Sequence, residues 1–209
     1  RSALGLLRIL SEADLPLPLS HILDLAAYEL SDQVETAPEL VGDVREFIVD
    51  RLRNYYREQG HGAELINAVL ASGWDTLPDL DRRLSALSHF MGQEDAVSLA
   101  AANKRIGNIL RKSKDPVSTK INTELLLIAE EKLLFEEITR LDRDVGPMLE
   151  RGEYEAGLKQ LASLRKPVDA FFDEVMVMDE DPAMRANRLS LLARLKALFD
   201  RIADLSVLA

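Results

Sequence analysis

A chain of 209 residues with 47% hydrophobic content is long enough to bury a substantial core, as one large domain or two small ones. It has no cysteine, which excludes disulfide frameworks, thiolate metal sites, iron–sulfur clusters and a cysteine nucleophile. A net charge of −10 argues against indiscriminate nucleic-acid binding. No apolar run approaches the roughly 20 residues of a membrane span, and no secretory pattern opens the chain, so a cytoplasmic protein without membrane contact is expected.

Helical periodicity dominates and alternating β-branched runs are missing, which predicts an all-α helical bundle of roughly nine or ten helices. The first helix covers Ser2 to Ala13 and stops before Leu15-Pro-Leu-Pro18, where the prolines remove amide donors and push preceding residues toward extended geometry. A second spans Leu19 to Leu30. Thr36-Ala-Pro38 marks the next start, and a helix over Glu39 to Gln59 closes at Gly60-His-Gly62. Ala63 to Ala71 reads as a short helix, and Pro78 opens another that reaches Phe90.

Gly92 separates that helix from a basic one, which ends at Lys114-Asp-Pro116. An apolar-periodic segment from Asn122 to Asp144 is expected to stop at Gly146-Pro147. Tyr154, Leu158, Leu161 and Leu164 then form one stripe, and Pro167 restarts the chain. Phe171, Phe172, Val175, Met176 and Met178 continue the core. Asp181-Pro182 has the form of an N-cap followed by proline at N1 and opens a last helix to Asp204. With no repeat and no convincing linker, residues 1–209 read as a single domain, a subsidiary break near Lys114 to Asn122 being the alternative.

The basic helix is the most informative stretch. From Asn103 to Lys120 there are six Lys or Arg against the single acid Asp115, whereas residues 1–102 and 121–209 carry net charges of −9 and −6. Leu99, Ala102, Ile106, Ile109 and Leu110 recur at helical spacing, and Lys104, Asn108, Arg111 and Lys112 fall on the opposite side. Within a Debye length of about 8 Å the near charges dominate, so such a patch attracts phosphate despite distant acids. The competing reading is an ordinary solvated face. Arg53-Asn-Tyr-Tyr-Arg57 supplies a second possible contact set, since guanidinium groups pair with phosphates and tyrosine rings stack on unpaired bases; against it, a helical tyrosine often faces the core and Arg51 or Arg53 has Asp50 or Glu46 within reach.

Catalytic signatures are missing: no GxxxxGK, GxGxxG or GxSxG occurs. His21, His61 and His89 lie far apart and read as ordinary surface or core residues. Asp179-Glu-Asp181 reads as a helix-opening cap, and Glu130-Glu131 and Glu136-Glu137 as solvated positions on a long helix.

The segment Ala100-Ala-Ala-Asn-Lys-Arg-Ile-Gly-Asn-Ile-Leu110 resembles a signature of the bacterial glycyl-tRNA synthetase beta subunit. So do Leu4-Gly-Leu-Leu-Arg-Ile9, Ala162 to Arg165 with Lys166-Pro-Val-Asp-Ala-Phe-Phe-Asp-Glu-Val-Met-Val-Met178, Asn187-Arg-Leu-Ser-Leu-Leu192 and Arg201-Ile-Ala-Asp-Leu-Ser206, in order along the chain. Parts of this pattern are also similar to the helical anticodon-binding domain of arginyl-tRNA synthetases. The resemblance implies a DALR-type anticodon-binding fold, excised from the C-terminal part of a larger beta subunit. It implies two partners, glycine tRNA and an alpha subunit, in a tetramer of two alpha and two beta subunits. The alpha subunit would hold the ATP-dependent aminoacylation core, leaving this chain non-catalytic and without a cofactor or metal of its own. The expected tRNA-binding residues are Asn103, Lys104, Arg105, Asn108, Arg111, Lys112 and Lys114, with Arg53 and Arg57 beside them. A helical protein-interaction module supporting subunit assembly is the alternative.

Overall fold

Several helix boundaries follow from local devices. In the computed structural model, which describes residues 2–33, 39–113, 115, 117–118 and 120–208, helix α1 (Ser2–Glu12) ends where Asp14 takes a left-handed φ of 48°. That turn lets Asp14 N–H donate to the Ser11 carbonyl and Leu15 N–H to the Leu10 carbonyl, a Schellman closure ahead of the two prolines. Helices α2 (Leu19–Glu29) and α3 (Leu40–Glu58) follow, and α3 closes the same way at Gly60, with φ 94°. The helix start expected at Thr36-Ala-Pro38 lies outside the described residues, as do Lys114 and Pro116. Helix α4 (Ala63–Leu70) leads to α5 (Leu77–Met91), whose N-cap Thr76 accepts from the Asp79 N–H. The basic helix α6 is Glu94–Lys112.

Past α6, the sequence expectation of a helix from Asn122 is corrected. Residues Thr123–Leu125 make a short 3-10 turn, and α7 (Ala129–Glu150) starts only where Glu131 reaches back to cap it, accepting from Leu127 N–H at 2.8 Å and Ile128 N–H at 2.9 Å. Nor does α7 stop at Gly146-Pro147: it runs through both to a Schellman closure at Gly152. Val145 and Leu149 on either side are buried, and that packing outweighs the one hydrogen bond proline removes. Helices α8 (Tyr154–Leu161), α9 (Arg165–Glu174) and α10 (Pro182–Asp200) complete the chain, with 3-10 turns at Ala162–Leu164 and Leu205–Val207. Asp181 caps α10 as its sequence implied, while the helix ends four residues short of Asp204.

Ten α-helices and no strand are found among the described residues, in agreement with the all-α reading. Helices α1 to α5 form one end of the bundle; α5 packs on α8, α8 and α9 on α7, and α6 on α9, α10 and the Leu205–Val207 turn. Helix α10 is buried on several sides, through Leu189, Leu191, Leu192, Leu195, Leu198 and Phe199, and each such side chain withdrawn from water contributes about 1.5–3 kcal/mol. Its carbonyl end is capped from α5: Arg83 donates to the carbonyls of Arg201 at 2.6 Å and Ile202 at 3.2 Å.

Polar residues of α10 fasten the segment after α6. Asn187 accepts from Asn122 N–H at 2.8 Å and donates to the Asn122 carbonyl at 3.0 Å, and Ser190 accepts from Ser118 N–H at 3.0 Å. Glu131, expected to be solvated, has no exposed surface and meets Arg188 at 2.5 Å. Met176 and Met178, expected in the core, are 72% and 52% exposed. They fall in the extended stretch after α9, where side chains alternate and Val175 and Val177 take the buried positions.

Candidate nucleic-acid interface

Helix α6 is anchored by one face and open on the other. Ala96, Leu99, Ala100 and Ile106 are buried, and the small alanines let α9 and α10 approach. Gly107 faces Ser206, where a Cβ would sit 3.8 Å from the Ser206 Cβ, so the Leu205–Val207 turn backs the helix just beneath its basic end. Opposite, Lys104, Arg105, Asn108, Arg111 and Lys112 are all exposed. Asn108 accepts from Arg111 at 2.9 Å, which fixes the guanidinium against the helix. Lys104 engages in interactions of its own and is not a bare charge.

Electrostatics along α6 are polarised. Glu94 and Asp95 in its first turn meet Arg165 at 3.8 and 2.6 Å, and the cations collect in the last turn, where they also complement the helix dipole. Asp115, the single acid in the basic run, is taken up by Arg185 of α10 at 2.8 Å. Those hydrogen bonds from Arg185 hold its carboxyl below the usual carboxylate range. The acid inside the stretch is thereby matched by a cation from elsewhere.

Two sequence expectations are corrected here. Asn103 is 1% exposed; its Nδ2 donates to the Leu99 carbonyl at 2.9 Å and its Oδ1 has no partner among the described residues, so it faces the packed side and not a ligand. In α3, Tyr55 and Tyr56 are both buried, and Tyr56 donates to Asp81 at 2.6 Å, which leaves neither ring to stack on a base. Burial, reinforced by Asp81, pushes the Tyr56 phenol pKa far up. Arg53 is occupied by Asp50 at 2.5 Å and Asn67 at 3.2 Å, while Arg57 is exposed. Helix α3 packs mainly on α1, α2 and α4. Lys114 lies outside the described residues.

Sequence reasoning passed over the surface beside Arg105. Its guanidinium lies over the Phe172 ring of α9, 4.0 Å from the centroid. The Arg105-to-Phe172 pairing crosses two helices and leaves no local signal in the chain.

Residues 99–205, which include the basic part of α6 and everything it packs on from α7 to α10, match the family model described as the DALR anticodon binding domain. The chain belongs to that family. Residues 1–71 of this DALR chain match a second model, the glycyl-tRNA synthetase beta subunit. Among curated proteins, the DALR chain is 45% identical over 208 residues to the glycine–tRNA ligase beta subunits of Sodalis glossinidius and Pectobacterium carotovorum, and 43% identical to that of Aeromonas hydrophila. In each case all of this chain aligns, and it spans about 30% of the length of those relatives. Among the described residues, no helix is long and apolar enough to cross a membrane.

Proposed function

We propose that this DALR domain is the tRNA-holding part of a glycine–tRNA ligase beta subunit, with the open face of α6 on the anticodon arm of glycine tRNA. The observation that carries the reading is the exposed, polarised basic end of α6 inside an acidic chain, with its one internal acid matched by Arg185. Lys104, Arg111 and Lys112 neutralise phosphates. Asn108, hydrogen-bonded to Arg111, orients that guanidinium or meets a base edge. Because Leu99, Ala100 and Ile106 lock the helix into the core, the donors are held with little entropy left to lose on binding.

In this reading the chain contributes binding, and the adenylation and transfer steps that consume ATP belong to an alpha subunit, in a cytoplasmic tetramer of two alpha and two beta subunits. Residues 1–209 act as one unit, because α5 joins the α1–α4 end to α8 and to the tip of α10. Titration of a glycine tRNA transcript tests the proposal. Arg111→Glu/Lys112→Glu is expected to weaken binding at least about tenfold, and equal affinity would overturn it. With about three phosphates neutralised, log affinity should fall against log salt with a slope on the order of −2 to −3.

A further inference from the structure

Between α6 and α9 lies a cavity of about 400 Å³ in front of the Arg105–Phe172 stack, bordered by Ser98, Asp169 and Asp173. The ring is held in place from behind: Phe171, fully buried, packs edge-on against Phe172 with centroids 5.7 Å apart. Arg105 is exposed and makes no ion pair among the described residues, so its guanidinium is engaged with the ring and not with a carboxylate. Asp169 and Asp173 stand one helical turn apart on α9, both exposed. Ser98 Oγ and Arg165 Nε reach Asp169 only at 3.4 and 3.7 Å, and Asp173 has no ion pair among the described residues.

This is the wrong chemistry for phosphate, since two carboxylates border the space. It is the right chemistry for a base. Unpaired bases stack on aromatic rings and on guanidinium planes, and an ionised carboxylate, which only accepts hydrogen bonds, selects an edge that donates. Guanine offers N1–H with its amino group, and cytosine and adenine offer their amino groups. Uracil presents a single N–H between two carbonyl oxygens, which face the carboxylate unfavourably.

We propose that this cavity is a nucleobase subsite, taking an unpaired base that carries an exocyclic amino group and rejecting uracil. The outer side of the Arg105 guanidinium, backed by the Phe172 ring, supplies the stacking surface, and Asp173, with Asp169, accepts from the amino group. The inference rests on the proposed function, because the α6 cations beside the cavity must bring the RNA to it. Arg105 then acts through its plane as a stacking group, a different role from the phosphate contact that its charge implies.

The test uses the complete ligase containing this chain and glycine tRNA transcripts in which each amino-bearing base of the anticodon loop is replaced singly by uridine. One replacement is expected to cost the wild type about tenfold or more in affinity. Asp173→Asn, whose amide both donates and accepts, should cut that discrimination to within about threefold. Phe172→Leu, with an unchanged melting midpoint, should weaken all transcripts about tenfold. The subsite is refuted if no uridine costs more than about twofold, if Asp173→Asn discriminates as the wild type does, or if folded Phe172→Leu binds normally. Those failures leave tRNA binding through α6 intact. Loss of the broader reading is separate: the parent transcript would bind Arg111→Glu/Lys112→Glu as tightly as wild type, or would not bind at all, and the subsite would fall with it.

Discussion

Arg188 of α10 meets Glu131 of α7 at 2.5 Å with the two side chains 5% and 0% exposed, a charge pair enclosed by the core. Both ions are otherwise satisfied: Glu131 caps α7 through two backbone N–H groups, and Arg188 also donates to the Met176 carbonyl at 2.9 Å and to Asp179 at 2.5 Å. Removing Arg188 alone strands a buried carboxylate. Arg188→Met is therefore expected to lower unfolding free energy by about 3–5 kcal/mol, read from urea midpoints. Glu131→Gln/Arg188→Met should lose clearly less than the two single losses added together, since no fully buried charge is then left unpaired; Asp179, which also loses Arg188, is 32% exposed. Additive losses would show that the pair does not act as a unit.

Acid should loosen the same region. The Asp181 backbone N–H, and then Arg188, hold the Asp179 carboxyl below the usual range, and Arg185 does so for Asp115. A native pKa below the unfolded value means that the unfolded chain binds the proton first. The stabilisation is thus complete above the ordinary aspartate pKa of about 3.9 and is lost as pH falls through the native values. Burial raises the Asp200 pKa and so works in the opposite sense, which makes the useful readout the slope lost on mutation. The melting midpoint should drop below about pH 4, and Asp115→Asn should fall less steeply over that range. An unchanged slope in Asp115→Asn would exclude the Asp115–Arg185 pair as a source.

What the chain revealed beforehand, and what it hid, divides along a physical line. Local devices were legible. Asp181-Pro182 capped α10, Gly60 closed α3, and the stripe Tyr154, Leu158, Leu161 and Leu164 is buried throughout. Features decided by a distant partner were not. Glu131 looks like any acid at a helix start until Arg188, far along the chain, is brought against it. Asn103 sits within a basic run, yet its helical angle turns it inward. Pro147 has the look of a terminator because the burial of Val145 and Leu149 around it is a tertiary fact. For the α6 surface, charge and periodicity gave the exposed residues correctly, but not that Arg105 would lie on Phe172.

Backbone strain gives a sharper check on the turns. Asp14 carries φ 48° in a position that glycine fills at Gly60 and Gly152 with φ 94° and 72°. Relieving the Cβ contact in Asp14→Gly should raise stability by about 0.5–1 kcal/mol, less a small loss from its exposed 4.0 Å ion pair with Arg82. Gly152→Ala should do the reverse, lowering stability by about 1 kcal/mol or more, because its new Cβ would also lie 3.0 Å from Arg82 Nε. Thermal melts of the two variants shifting in the same direction would contradict this account.

Packing and RNA contact on α6 should separate cleanly in a pair of variants. Gly107 lies in a helix interior with ordinary van der Waals room for a methyl group, its nearest neighbours being Ser206 Cβ at 3.8 Å and Oγ at 3.9 Å. Gly107→Ala is therefore expected to stabilise the fold by about 0.5–1 kcal/mol through helix propensity, and to leave tRNA affinity unchanged because the methyl points toward Ser206. Lys112→Glu does the opposite. It removes a cation at the exposed end of α6 and should weaken tRNA binding while reducing the log–log salt slope by about 1. Its effect on stability should stay within about 0.3–1 kcal/mol, the size of a reversed charge at a helix terminus. If Gly107→Ala weakened tRNA binding while melting higher, the RNA surface would have to extend around the helix to the Ser206 side, and the assignment of the open face would be wrong.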